Sequence, residues 1–211
     1  MNSFDRSNQM KEYYYDKLMG IKTGGDQQGF NKSFHYHRYE PTPYSAIEEL
    51  FYHYKVSNND RIVDFGCGKG RLNFFIHYHF HATVVGIEMN EEFYQEALNN
   101  RKNFLKTAYL PNSHIYFHNC LAEEYQVEPL DNRFYFFNPF SVQIFMKIIN
   151  NILISVEQAE RDVEIILYYP SEDYIYYLEN DTSFELKKEI ILPFVYEDNP
   201  NERFLIYQLK I

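Results

Sequence analysis

Tryptophan is absent from this chain of 211 residues, and cysteine occurs only twice, as Cys67 and Cys120. Two cysteines cannot build a disulfide framework, and their scarcity suits a reducing compartment. No apolar run reaches the roughly 18 residues that a membrane-spanning helix needs. The opening stretch, MNSFDRSNQMKEYYYDK, is too polar to contain the apolar middle of a signal peptide. A cytoplasmic protein with no membrane partner is expected. Basic residues are also in deficit, with 20 Lys and Arg against 30 Asp and Glu and a net charge of -10. Proteins that grip duplex nucleic acid through its phosphates carry a basic footprint, so no duplex DNA is expected as a partner. Internal repeats, low-complexity tracts and Gly/Ser linkers are missing too, and composition marks no domain boundary.

What is present is ordinary globular material, 45% hydrophobic and 24% charged, enough for one domain with at most a small appendage. The 21 Tyr and 19 Phe are unusually many. Such rings can stack on bases, but aromatic side chains mostly fill cores, and AT-rich codons favour both residues. Residues from about Asp5 to Leu18 have helical character. Gly20 to Lys32 reads as a loop holding four of the eight glycines. A second helix is expected from Thr42, with Thr42 as N-cap, Pro43 at the first helical position, and Ile47, Leu50, Phe51 and Tyr54 on one face.

From Asp60 the chain alternates strand and helix, the pattern of a parallel sheet with crossover helices. Strands are expected at Arg61–Phe65, Thr83–Glu88, His114–Phe117, Arg133–Phe137 and Val163–Tyr168. Helices are expected at Lys69–Tyr78, Glu91–Lys106, Ser141–Val156 and Glu172–Glu179. The tail changes rhythm, because the runs Phe184–Leu192 and Arg203–Leu209 flank Tyr-Glu-Asp-Asn-Pro-Asn, a hairpin signal. The expected class is α/β, a mostly parallel sheet with helices on both faces and a C-terminal antiparallel hairpin.

The most informative stretch is Val63-Asp64-Phe65-Gly66-Cys67-Gly68-Lys69-Gly70-Arg71. A strand runs into a glycine-rich turn that opens a helix, where free N–H groups meet a closely approaching ligand. Glu88 closes the next strand, where a carboxylate can take both hydroxyls of a ribose. Dinucleotide folds use G-x-G-x-x-G, whereas the glycines here read G-x-G-x-G. Asp64 lies two positions before the first glycine, where it would repel a pyrophosphate but suits a ligand bearing an ammonium and a sulfonium. The spacing decides against NAD.

Asp64-x-Gly66-x-Gly68-x-Gly70 followed by Glu88 resembles the first motif and the following acidic residue of class I methyltransferases that use S-adenosylmethionine. The resemblance extends from about Asp60 to Ile211. It implies a seven-stranded sheet in the order 3-2-1-4-5-7-6, a methyltransferase domain over residues 60–211, and an N-terminal helical segment, 1–59, covering the cofactor site. It also implies a methyltransferase with S-adenosylmethionine bound by Asp64, Gly66, Cys67, Gly68, Gly70 and Glu88. Family members often carry an acidic residue after the third strand, on the adenine. Here that region reads His118-Asn119-Cys120, so Asn119 or a backbone carbonyl is left for the role. Tyr39 and Thr42, just before the domain, can reach the methionine end, although a turn leading into a helix explains the same residues.

The fourth strand ends in Asn138-Pro139-Phe140, similar to the [Asp/Asn/Ser]-Pro-Pro-[Tyr/Phe] run of amino-methyltransferases, with one proline where those have two. The similarity implies that Asn138 and the Pro139 carbonyl hold an acceptor amine in line with the methyl group, with Phe140 stacked on the target. A strand-to-helix turn with Phe140 in the core explains the same residues. The acceptor is expected to be a nitrogen on a protein, an RNA or a small molecule. The alternative is a non-catalytic cofactor-binding or interaction module. His77, His79 and His81, like His35 and His37, alternate without acidic or cysteine neighbours at zinc spacing, so no metal is expected. Cys67 reads as a small filler, since nothing near it lowers its pKa.

Overall fold

The structure, a computed structural model, describes residues 3–25, 40–108, 114–193 and 195–210. Two helices, α1 (Ser3–Met19) and α2 (Tyr44–His53), precede an alternating unit. That unit runs β1 (Arg61–Phe65), α3 (Arg71–Phe80), β2 (Thr83–Glu88), α4 (Glu91–Thr107), β3 (Ile115–Asn119), β4 (Arg133–Phe136), α5 (Val142–Gln158) and β5 (Val163–Tyr168). It closes with α6 (Glu172–Asp181), β6 (Glu185–Ile191) and β7 (Arg203–Leu209). The sheet order is β3-β2-β1-β4-β5-β7-β6, with β7 antiparallel between β5 and β6 and the other pairs parallel. Each expected strand and helix is present, with ends that match or are shifted by one or two residues. Among the described residues no helix is long and apolar enough to cross a membrane.

Local chemistry starts the helices where it should. Asn90 caps α4 by accepting from Glu92 N and Phe93 N, and Glu91 and Glu92 sit at the positive end of its dipole. Ser171 caps α6 the same way through Tyr174 N. Alternation of side chains along each strand then sorts two cores. Val63, Phe65, Phe134, Phe136, Ile165 and Leu167 face α5 and α6, whereas Ile62, Tyr135, Ile166, Phe204 and Ile206 pack with α2 and α3. The edge strand β6 carries Glu185, Lys187, Lys188 and Glu189, charges that discourage pairing with another chain.

The start of α2 differs from expectation. Pro43, not Thr42, occupies the N-cap position, and it offers no side-chain cap. The first helical N–H, from Tyr44, is accepted instead by Glu12 of α1 at 3.0 Å. Thr42 is released for other bonds: its carbonyl accepts from Arg71 Nη1 at 3.2 Å.

Arg71, the first residue of α3, is 5% exposed and joins α1, residue 23, residue 42 and the start of α2. Its Nε donates to Thr23 Oγ1 at 2.8 Å, its Nη1 forms an ion pair with Glu12, and its plane lies 4.6 Å from the Tyr44 ring centroid. Asp16 completes the set, accepting from Thr23 N, Thr23 Oγ1 and Tyr44 Oη at 2.7, 2.8 and 2.7 Å. Asn100 of α4 clamps the same segment, with Oδ1 on Lys22 N and Nδ2 on the carbonyls of Lys22 and Lys69. Breaking a buried ion pair from one side leaves the other charge uncompensated. Arg71→Ala is therefore expected to cost about 3 to 5 kcal/mol in chemical denaturation. Pairing it with Glu12→Gln should recover part of that loss, and an unchanged midpoint for Arg71→Ala would show that the hub does not hold the N-terminal region.

Candidate functional site

The turn after β1 is tied to β2 before any ligand is considered. Gly66 N and Cys67 N both donate to the Ile87 carbonyl, at 2.9 and 3.1 Å. Gly66 has φ 79°, and a Cβ there would lie 2.9 Å from the Pro139 side chain, so only glycine lets the turn and the end of β4 meet. Gly70, at φ 85°, starts α3 under the Phe117 ring, where a Cβ would approach to 2.7 Å. Cys67 is buried against Gly86, at which a Cβ would stand 2.6 Å from the cysteine sulfur. Burial, with the charges of Asp64 and Glu88, pushes the Cys67 thiol well up, which suits a packing role.

Glu88 anchors the opposite wall of the turn. Its Oε2 accepts from Gly68 N at 2.9 Å and its Oε1 from Asn90 N at 2.7 Å. Burial raises its pKa, and the backbone N–H groups pull it back. A carboxylate has about four lone-pair sites, so each oxygen keeps an acceptor position for a ribose hydroxyl. Asn119 donates through Nδ2 to the carbonyls of Glu88 and Met89, at 2.9 and 3.2 Å, which makes Oδ1 the acceptor end of its side chain. Cys120 follows, half-buried, its thiol pushed up by burial and by Glu124.

Asp64 lies on the floor of the site, 5% exposed. Desolvation and then the Glu88 charge push its carboxyl up to about 8. Its register neighbour on β4 is Tyr135, whose hydroxyl shares a 2.7 Å hydrogen bond with Thr42 Oγ1. Thr42 thus reaches the sheet beside Asp64. Tyr39 lies outside the described residues, as do His35 and His37.

At the end of β4, Asn138 takes a left-handed φ of 39°, a conformation that asparagine tolerates better than most residues. Pro139 then presses on Gly66. Phe140 is 4% exposed and belongs to the core on the α5 and α6 side. Tyr174 Oη donates to its carbonyl at 2.6 Å and accepts from its N–H at 3.3 Å. The structure therefore brings Pro139, next in the chain to Asn138, against the glycine turn, Glu88 against Gly68 and Asn119, and Thr42 beside Asp64. The Phe140 ring packs inward. His77 is turned away into the fold, where its Nδ1 donates to the Ala82 carbonyl at 2.8 Å and burial lowers its pKa.

Sequence reasoning overlooked Tyr135, Lys69 and Asn100, and it quoted Arg71 without giving it work. Lys69 holds Gly24 O at 3.3 Å and Glu96 at 2.9 Å. Two basic residues flanking Gly70 in the glycine turn were the available signal for Arg71 and Lys69. Nothing in the sequence marked Tyr135 out from the aromatic residues beside it.

The shifted carboxyls make a stability statement. A carboxyl whose folded pKa is raised binds its proton more tightly folded than unfolded. Its favourable contribution is complete below the ordinary value of 3.8 and is lost as pH rises through about 8. The ligand-free protein should therefore lose stability over that window, by at most roughly 1.4 kcal/mol per pH unit for one proton. Glu88 acts in the same direction. Asp64→Asn should flatten most of the slope in urea titrations across pH 5 to 8. A slope unchanged in the variant would mean that Asp64 carries its charge freely.

Known proteins share the fold and part of the sequence. Residues 42–137 match a family described as a methyltransferase domain. Over 63 residues, 29% of this chain, the sequence is 38% identical to a protein-lysine N-methyltransferase of Saccharolobus islandicus (strain REY15A), and the match spans 39% of that relative's length. An RNA methyltransferase from Salinibacter ruber, solved with S-adenosylhomocysteine, superposes with a TM-score of 0.54 at 16% identity, covering 82% of this chain and 94% of that one. Phosphoethanolamine N-methyltransferase 1 of Haemonchus contortus, solved with phosphoethanolamine and S-adenosylhomocysteine, gives 0.59 at 13% identity, over 78% of this chain and 42% of that one. The chain thus shares the seven-stranded fold of these solved structures, and residues 42–137 of it match a methyltransferase domain.

Proposed function

We propose that this chain is a cytoplasmic methyltransferase that moves a methyl group from S-adenosylmethionine to a nitrogen acceptor. The observation that supports the reading is the close approach of Pro139, the residue after Asn138, to Gly66 of the glycine turn. The residues fit the cofactor. The turn has room that a Cβ would fill, Glu88 keeps acceptor positions for a ribose, and Asp64 offers a carboxylate to an ammonium. Asn119 Oδ1 is an acceptor for an adenine amino group, with Cys120 beside it. Residues 1–59 serve as the cover of the site and 60–211 as the catalytic domain.

The bound cofactor supplies an electrophilic methyl group on a sulfonium. The rest of the work is positional. Asn138 Oδ1 and the Pro139 carbonyl accept hydrogen bonds from the acceptor amine and aim its lone pair at the methyl carbon. Asp64 and Glu88 would hold the cofactor, which would supply the methyl group with its sulfur as leaving group. Asn138 and the Pro139 carbonyl orient an acceptor amine that has already given up its ammonium proton to water. Holding the two reactants in line is worth far more than any single hydrogen bond. We favour a lysine amine of a protein as the acceptor. The stretch similar to a protein-lysine N-methyltransferase supports it, as does a net charge of -10, which attracts cationic segments and repels nucleic-acid phosphates.

S-adenosylhomocysteine at about 100 times its dissociation constant should add roughly 2.7 kcal/mol of stability, a melting shift of roughly 5 to 10 °C, while NADH adds nothing. Asn138→Ala should bind the cofactor product with near wild-type affinity, yet transfer on the order of a hundredfold less label to protein in extract from a strain lacking this chain. Equal labelling by both forms would remove Asn138 from the site. A wild type that binds and labels nothing in protein, RNA and small-molecule fractions would favour a binding module.

A further inference from the structure

Strand β4 and the residue after it read Arg133-Phe134-Tyr135-Phe136-Phe137, and the one hydroxyl in this aromatic run is on the ring that lies next to Asp64. Packing does not require it. Along the same row of the sheet Tyr135 is flanked by Asp64 on β1 and Ile166 on β5, and its ring is 2% exposed. A phenylalanine would fill that space, and a buried hydroxyl is costly unless it finds a partner. Its partner is Thr42 Oγ1, at 2.7 Å across 93 residues of sequence, with both groups buried. The Thr42 carbonyl is held at the same time by Arg71 Nη1 at 3.2 Å.

These two grips come from the two elements that build the cofactor pocket. Arg71 follows Gly70 at the start of α3, and Tyr135 is the register neighbour of Asp64 near the carboxyl end of β4. Segment 40–43 crosses there, and at that edge the Phe137 and Tyr168 rings stand 4.5 Å apart. Tyr168 also feels the charge of Glu40. The segment is therefore fastened to the pocket on both sides of residue 42, at one side by a guanidinium that also serves the fold, and at the other by a single neutral hydrogen bond. A neutral bond of this kind is the weaker of the two.

We propose that Tyr135 and Thr42 form a clasp that holds segment 40–43 down beside Asp64 and retains the cofactor beneath it. Tyr135 is thus a positioning residue, acting on the ligand through Thr42. This rests on the reading of the Asp64 and Glu88 pocket as the cofactor site. Opening the clasp breaks one hydroxyl–hydroxyl bond and leaves the bonds of Arg71 to Thr23 and Glu12 in place, so residue 42 is then held by the Arg71 bond to its carbonyl alone.

The test is a double-mutant cycle on the full chain with S-adenosylhomocysteine as the probe. Tyr135→Phe and Thr42→Val are each expected to speed its dissociation about tenfold, seen in stopped-flow displacement. The double variant should release it no faster than either single one, because both remove the same bond. Thr42→Ser keeps the hydroxyl and should restore slow release. Hydrogen exchange separates the clasp from a merely structural role. At saturating ligand, the wild type should slow exchange of the amides of Thr42 and Tyr44, and Tyr135→Phe should not. Single variants that release the probe at the wild-type rate, or effects that add in the double variant, overturn the clasp while the cofactor reading stands. A wild type that does not bind the probe at all overturns the cofactor reading, and the clasp with it.

Discussion

The arrangement depends on one buried guanidinium. Arg71 stands where the glycine turn becomes a helix, and it is also where α1, segment 21–25 and the approach to α2 converge. A guanidinium presents several donors in a rigid plane, so it can satisfy a hydroxyl, a carbonyl and a carboxylate at once while its face packs on a ring. Lysine could not substitute, because a point charge offers neither the fork nor the face. The result is that the N-terminal region is fastened to the same residue that follows Gly70, and the two parts of the site share one anchor.

Around that anchor, the pocket is built before a ligand arrives. The Ile87 carbonyl holds the turn from beneath, and Glu88 holds Gly68 from the side. Burial drives the carboxyls of Asp64 and Glu88 toward protonation, at a cost to their charged forms that the backbone N–H groups offset in part at Glu88. A cationic ligand beside Asp64 would lower that cost, since an opposite charge favours the ionised form. The site is thus poorly solvated when empty of charge and better balanced with a cation in it, a form of preorganisation that favours binding over folding stability.

What could be read from the sequence follows from the range of the interactions involved. Strand and helix periodicity is local, so the alternating unit and the terminal hairpin were legible, and so was the glycine turn between Asp64 and Arg71. The strand order came through resemblance, and the structure bears it out. The cap of α2 was misread because its acceptor is absent from the neighbourhood: Glu12 reaches Tyr44 across 32 residues. The local preference of threonine for an N-cap lost to that distant carboxylate and to the bonds Thr42 makes with Tyr135 and Arg71. Tyr135 was invisible for the same reason, since a tyrosine among phenylalanines reads as core until its partner is known.

The glycines explain how these separate bonds come to act on one place. Gly66 lets Pro139 touch the turn, one residue after the left-handed Asn138. A side chain at Gly66 would push β4 and β1 apart at their carboxyl ends. That would move Asn138 and Tyr135 together, because they are three residues apart on one strand end and its exit. Asn138 and Tyr135, and through Tyr135 the segment at Thr42, therefore all depend on the end of β4 and on how closely Gly66 lets that end approach the glycine turn.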